Sequence, residues 1–408
     1  MRSKLNPFRH PLSLLGPAFV AAIAYVDPGN VAANVTAGAR YGYLLLWVLV
    51  VSNLIAVVVQ YQSAKLGLVT GRTLPELLGD RMRRRPRLAF WVQAELVAAA
   101  TDLAEVLGGA IALQILFGLP LVVGGAIVGV VSMFLLEVQS RTGQRQFEFV
   151  IIGLLVIITF GFLAGLFFKP PEIAGMLSGL VPRFVNADSV ILAASMLGAT
   201  VMPHAIYLHS ALARDRHKKV APEMLPLMLR ATRSDVAGAL AMAGLVNIAM
   251  LLLAAANLQG VTGTDTIEGA HAAIAGALGP FVGLVFGIGL LASGLASTSV
   301  GCYAGATIME GLLHWHVPLL WRRAVTLVPA LAILALGAEP TWALVLSQVV
   351  LSFGIPFALV PLALLANDRR LMGTAVNGPF TRFVLGAIVV VVVVLNIVLL
   401  VLLALGQG

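Results

Sequence analysis

The sequence predicts an all-α polytopic membrane protein with eleven transmembrane helices. Three observations carry this. Of the 408 residues, 60% are hydrophobic and 11% charged, whereas a soluble domain carries about 25% charged residues. The apolar residues gather in runs of at least the ~20 residues that cross a bilayer, and the mean hydropathy is +0.98. The basic residues are sorted: all but Arg40, Lys169 and Arg183 fall on one side of the membrane once the runs are threaded through it.

The spans are expected at 12–38, 43–67, 88–116, 119–139, 147–168, 189–213, 234–258, 279–313, 321–338, 341–366 and 382–405. The first carries Asp27-Pro28-Gly29-Asn30 in its middle. Asp at a helix centre costs about 2.5–3.5 kcal/mol on insertion scales, and Pro28 removes a backbone donor. A helix broken there, with freed carbonyls and polar side chains facing a cavity, accounts for all of it. A kinked helix whose Asp27 pairs with a neighbour is the plainer alternative. The run lacks a small-residue cleavage site and is expected to stay as a mature helix.

Span 2 is followed by Arg72, Arg81, Arg83, Arg84, Arg85 and Arg87, with Lys65 at its edge. Arg2, Lys4 and Arg9, then Arg141 and Arg145, then Arg214, Arg216, Lys218, Lys219, Arg230 and Arg233, then Arg322 and Arg323, and finally Arg369, Arg370 and Arg382 share that side. The positive-inside rule makes it cytoplasmic. The N-terminus is then cytoplasmic and the C-terminus extracytoplasmic, in the inner (plasma) membrane. The net charge of +8 is therefore a topology signal, and no nucleic-acid partner is expected. Cys302 is the one cysteine, which excludes a disulfide framework and a thiolate cluster within one chain.

Span 6 repeats the interruption as Gly198-Ala199-Thr200-Val201-Met202-Pro203-His204. It lies five spans after the first, so two five-span units, 12–168 and 189–366, would be inverted relative to each other within one domain of 1–408. Interrupted segments at corresponding positions of two halves point to a midplane binding site. Helix 382–405, with its Val389–Val394 run, reads as a peripheral lipid-facing addition.

Asp27, Asn30, Met202 and the carbonyls of Ala24 and Ala199 are the candidate ligands. Carboxylate, carboxamide and carbonyl oxygens suit a hard cation; a thioether shifts preference to later transition metals. Met202 could equally be a gap filler, since the chain has twelve methionines. Asp102 and Glu105 lie one turn apart in span 3, with Glu95 two turns earlier. With Asp27 and His204 they could form a proton relay ending at Arg322 or Arg323. Alternatively, Asp102 only pairs with an arginine and His204 only donates to a carbonyl. His209 reads as a capping or packing residue. Gln348, a lone carboxamide in span 10, could reach the ion or bond across helices.

These residues resemble a known family. Asp27-Pro28-Gly29-Asn30 and Met202-Pro203-His204 are similar to the two signature motifs of the Nramp family (natural resistance-associated macrophage proteins), in particular its bacterial proton-coupled manganese transporters. Thr101-Asp102-Leu103-Ala104-Glu105, Ala292–Thr298 with Met309-Glu310-Gly311, and Ser347-Gln348 with Phe353–Ala358 extend the likeness from about Gly16 to Asn367. The resemblance implies a LeuT-type fold of two inverted five-helix repeats plus an eleventh helix. It implies uptake of Mn²⁺ and Fe²⁺ as cargo, with proton co-transport and no resident cofactor. The metal would be held by Asp27, Asn30, Met202 and the carbonyls of Ala24 and Ala199, joined by Gln348 on closure to the outside. Asp27, His204, Glu105, Asp102 and Arg323 would carry the proton. Met202 favours Mn²⁺ or Fe²⁺ over magnesium or aluminium. A sodium-coupled transporter of an organic solute such as an amino acid is the alternative on the same fold, and a thioether facing the centre argues against it. No HExxH helix or His cluster supports an intramembrane metalloenzyme, so no enzyme activity is expected. Nothing suggests an obligate interface, so a monomer is expected.

Overall fold

A computed structural model describes residues 16–142, 144–217, 221–264, 266–337 and 339–405. Arg2, Lys4, Arg9, Lys218, Lys219 and the first residues of span 12–38 lie outside the described residues. Every regular element described is helical. The first span is α1 (Pro17–Ile23) and α2 (Pro28–Tyr41), separated by one 3-10 turn and Asp27. There follow α3 (Leu46–Thr70), α4 (Leu74–Arg81), α5 (Arg84–Phe117), α6 (Leu121–Thr142) and α7 (Gln144–Phe168). After α8 (Ile173–Gly179), the sixth span is split into α9 (Ala187–Thr200) and α10 (Pro203–His217). The rest are α11 (Leu225–Asn257), α12 (Ile267–Leu278), α13 (Pro280–Leu313), α14 (Leu319–Ala335), α15 (Pro340–Ala366), α16 (Arg369–Met372) and α17 (Pro379–Ala404).

Among the described residues, eight helical stretches are long and apolar enough to cross a membrane. The other three expected spans are the broken first one and the shorter α6 and α14. Large apolar side chains stand exposed around the outside, among them Phe134, Phe160, Val325 and Val328. Lipid, not water, is the solvent in which such a surface is stable. The protein is a multi-pass membrane protein.

The helices pack in matched pairs. Take α1/α2, α3, α5, α6 and α7 as one unit, and α9/α10, α11, α13, α14 and α15 as the other. Then α2 packs on α11 as α10 packs on α3, α15 on α5 as α13 on α7, and α14 on α5 as α6 on α13. The central pair is α5 with α13. Small residues let these helices touch: a Cβ on Gly294 would fall 2.9 Å from the Gly109 nitrogen, and one on Gly108 would overlap Pro28. The added helix α17 leans on α15, α9 and α3 and exposes Val390, Val391, Val394 and Ile397.

Some helices lie outside the expected spans. α4 is closed by a reciprocal capping box between Thr73 and Glu76, and α12 begins at the Thr266 cap. They are too short or too polar to leave a membrane-span signature. α5 starts at Arg84 and α11 at Leu225, earlier than the expected 88 and 234. Hydropathy marks where a helix is in lipid and not where its hydrogen bonding ends.

Candidate metal site

Both breaks lead into a half-helix that opens with proline. Asp27 is extended (φ −68°, ψ 166°) and caps α2, its carboxylate accepting from the Asn30 amide at 2.9 Å. Pro28 and Pro203 each open the second half-helix at its first position, where a missing N–H costs nothing within the helix. In a continuous helix those N–H groups would donate four residues back, to the carbonyls of Ala24 and Ala199. Each proline thus withholds the backbone donor that would otherwise claim the carbonyl the sequence nominates as a ligand.

The breaks meet. Asn30 Nδ2 donates to Asp27 Oδ1 at 2.6 Å and across to the Ala199 carbonyl at 2.8 Å. Gln348 Nε2, from α15, lies 3.5 Å from Asp27 Oδ2. Gly29 makes room for it, because a Cβ there would overlap the Gln348 amide. Asp27, Asn30, Met202 and Gln348 are all buried. Asn30 Oδ1 and Gln348 Oε1 receive no hydrogen bond among the described residues. Two buried acceptor oxygens beside a buried carboxylate form an oxygen set that a cation would satisfy. The other carbonyls of the first break are already held: Asn247 Nδ2 donates to Tyr25 at 2.7 Å, and Ser293 Oγ to Val26 at 2.5 Å. Asn247 is steadied in turn by Asn34 at 3.0 Å. Sequence reasoning missed Asn34, Asn247 and Ser293. Asn247, a carboxamide in the middle of an apolar span, was the signal available.

A buried polar path adjoins the site. His204 Nδ1 is 3.3 Å from Thr101 Oγ1, beside Asp102 on α5. Glu105 is buried one turn along α5 from Asp102. Gly301 leaves space for it: a Cβ there would sit 2.8 Å from Glu105 Oε1. Arg323 is fully buried, its Nη1 3.7 Å from Asp102 Oδ1 and its Nε donating to Ser132 Oγ at 2.8 Å. The two candidate arginines therefore differ. Arg322 holds Glu95 through two contacts at 3.2 and 2.7 Å, and Arg323 faces Asp102. His209 neither caps nor merely packs; its Nδ1 meets Gln60 Oε1 at 2.8 Å, and Gln60 Nε2 donates to the Tyr25 hydroxyl at 2.5 Å.

Paired broken helices in a five-plus-five bundle, joined at a buried carboxylate, define a secondary transporter of the alternating-access class. The family model described as "Natural resistance-associated macrophage protein-like" (Nramp) matches residues 18–402, and the chain belongs to that family. It is 60% identical over 390 residues to the divalent metal cation transporter MntH of Mycobacterium tuberculosis (strain H37Rv), covering 95% of this chain and 91% of the relative. It is 44% identical over 400 residues to MntH of Bacillus subtilis (strain 168), covering 98% and 94%. Among solved structures, a manganese transporter of Eremococcus coleocola in complex with an aromatic bis-isothiourea compound superposes with a TM-score of 0.85 at 29% identity, over 97% of this chain and 87% of that one. MhsT in complex with L-phenylalanine, at 15% identity, superposes with a TM-score of 0.60 over 93% of this chain and 98% of that one, which shows the shared fold alone.

Proposed function

We propose that this protein imports divalent transition-metal ions, Mn²⁺ and Fe²⁺, across the inner membrane together with protons, with its N-terminus in the cytoplasm. The observation that carries the metal reading is the pair of orphaned oxygens, Asn30 Oδ1 and Gln348 Oε1, beside Asp27. Asp27, Asn30, Met202, Gln348 and the Ala24 and Ala199 carbonyls form the ligand set. It has one formal negative charge and one soft donor, so the ion stays incompletely neutralised and can leave. Met202 selects against Ca²⁺ and Mg²⁺, which take oxygen donors. The proton moves from Asp27 or His204 by way of Glu105 and Asp102 towards Arg323. Rocking of one group of helices against the other alternates access, with the protein acting as a monomer in the bilayer.

The test is Mn²⁺ uptake into proteoliposomes at inside-negative potential, with excess Ca²⁺ as competitor and an internal pH dye. The wild type takes up Mn²⁺ despite Ca²⁺ and acidifies the lumen. Asp27→Ala loses uptake, and Met202→Ala becomes Ca²⁺-sensitive. A wild type that moves an organic solute or Na⁺ but no Mn²⁺ refutes the metal reading. Mn²⁺ uptake without acidification removes proton coupling and leaves metal import standing.

A further inference from the structure

Five arginines crowd the start of α5 between residues 81 and 87, and their surroundings are unequal. Arg81 pairs with Asp368 at 3.2 Å, and Arg87 donates to the Gly79 carbonyl at 3.2 Å. The acids close by are taken: Asp80 by Arg72, Glu76 by Arg214. Arg83, Arg84 and Arg85 are exposed and have no acidic partner among the described residues. They occupy the cap and first two positions of a 34-residue helix whose N-terminus has no side-chain cap. Positive charge there opposes the helix dipole, so the arginines do nothing for the helix itself. An anion would satisfy both them and the free amides.

An apolar groove of about 300 Å³ begins one turn beyond these arginines. It runs between α5 and α15, lined by Ala89, Val92, Leu96, Val350, Phe353 and Phe357. The edge-on contact of Phe90 with Phe357, 6.3 Å between centroids, and the close approach of Gly354 to Val97 join the two helices there. Arg84, Leu88, Val92 and Leu96 recur every four residues, so one face of α5 passes from arginine to exposed apolar surface. A phosphate at the head of an apolar tail has that order of chemistry.

We propose that an anionic phospholipid binds here, one acyl chain in the α5–α15 groove and its phosphate against Arg83, Arg84 and Arg85. Placing it in the cytoplasmic leaflet rests on the orientation proposed above; the binding does not. The lipid bridges the helix that carries Asp102 and Glu105 and the helix that carries Gln348.

Native mass spectrometry of the full-length protein, released from micelles holding equal phosphatidylglycerol and phosphatidylcholine, reads this without any transport assay. The wild type retains phosphatidylglycerol over phosphatidylcholine by roughly tenfold or more, since each basic residue near a membrane surface favours anionic lipid severalfold. The triple change R83Q/R84Q/R85Q abolishes the preference. R369Q/R370Q, which removes cytoplasmic charge elsewhere, keeps it. Val92→Trp, filling the groove with the arginines intact, lowers retention of the lipid. Equal retention of both lipids by the wild type overturns the proposal whatever the variants do. So does a preference lost equally in R369Q/R370Q, which would mean diffuse surface charge, or one untouched by Val92→Trp, which would mean an anion site without a lipid tail.

Discussion

Arg323 is wholly buried, and its nearest charge is Asp102, itself almost fully enclosed. Removing one partner of such a pair strands the other, at about 3–5 kcal/mol, whereas replacing both with apolar groups is often neutral. Arg323→Met is therefore expected to lower the thermal midpoint in detergent markedly, and adding Asp102→Leu to restore most of it. Luminal acidification by the double variant, read with the pH dye, stays impaired if both groups conduct protons; a normal proton flux would make the pair purely structural. At this scale the sequence was informative about which side chains needed explaining, not about their partners. Asp27, Asp102, Glu105 and Gln348 stand out because a polar group in lipid must be answered. What answers them lies far off in the chain: Asn30 Nδ2 reaches Ala199 across 169 residues, and Ser293 reaches Val26 across 267. Nothing in local periodicity carries such a distance.

The two interrupted spans were legible as elements, since Pro and Gly mid-membrane leave few alternatives. The structure adds what the freed carbonyl of the sixth span meets, the Asn30 amide of the first. Pro203→Ala returns a donor that can claim the Ala199 carbonyl, and one hydrogen bond is worth about 0.5–1.5 kcal/mol net. Mn²⁺ affinity by titration calorimetry should fall about threefold to tenfold, with the helical circular dichroism spectrum unchanged. An unaltered affinity would take the Ala199 carbonyl out of the ligand set. The short helices α4, α8 and α12 were not legible, because their signals are caps and brief amphipathic stretches next to much stronger hydropathic runs.

For the whole molecule, the sorted arginines and lysines set an expectation that labelling can check. Cys302 is buried and is the one cysteine, so Cys302→Ser provides a background for single reporters. Arg40→Cys should react with an impermeant maleimide from outside intact cells, and Arg370→Cys only after the membrane is opened. The opposite pattern would invert the assigned orientation. The matched packing of the two five-helix units is imperfect, and the imperfection is informative. α15 packs along both halves of the sixth span, α9 and α10, and along α2, the second half of the first. Its counterpart α7 packs along α1, with no comparable seam to α10 or α2. Were each unit to take on the other's present shape, the tight seams and the loose ones would trade places across the membrane. If the two units exchange shapes during transport, the discrepancy between them is a map of that motion.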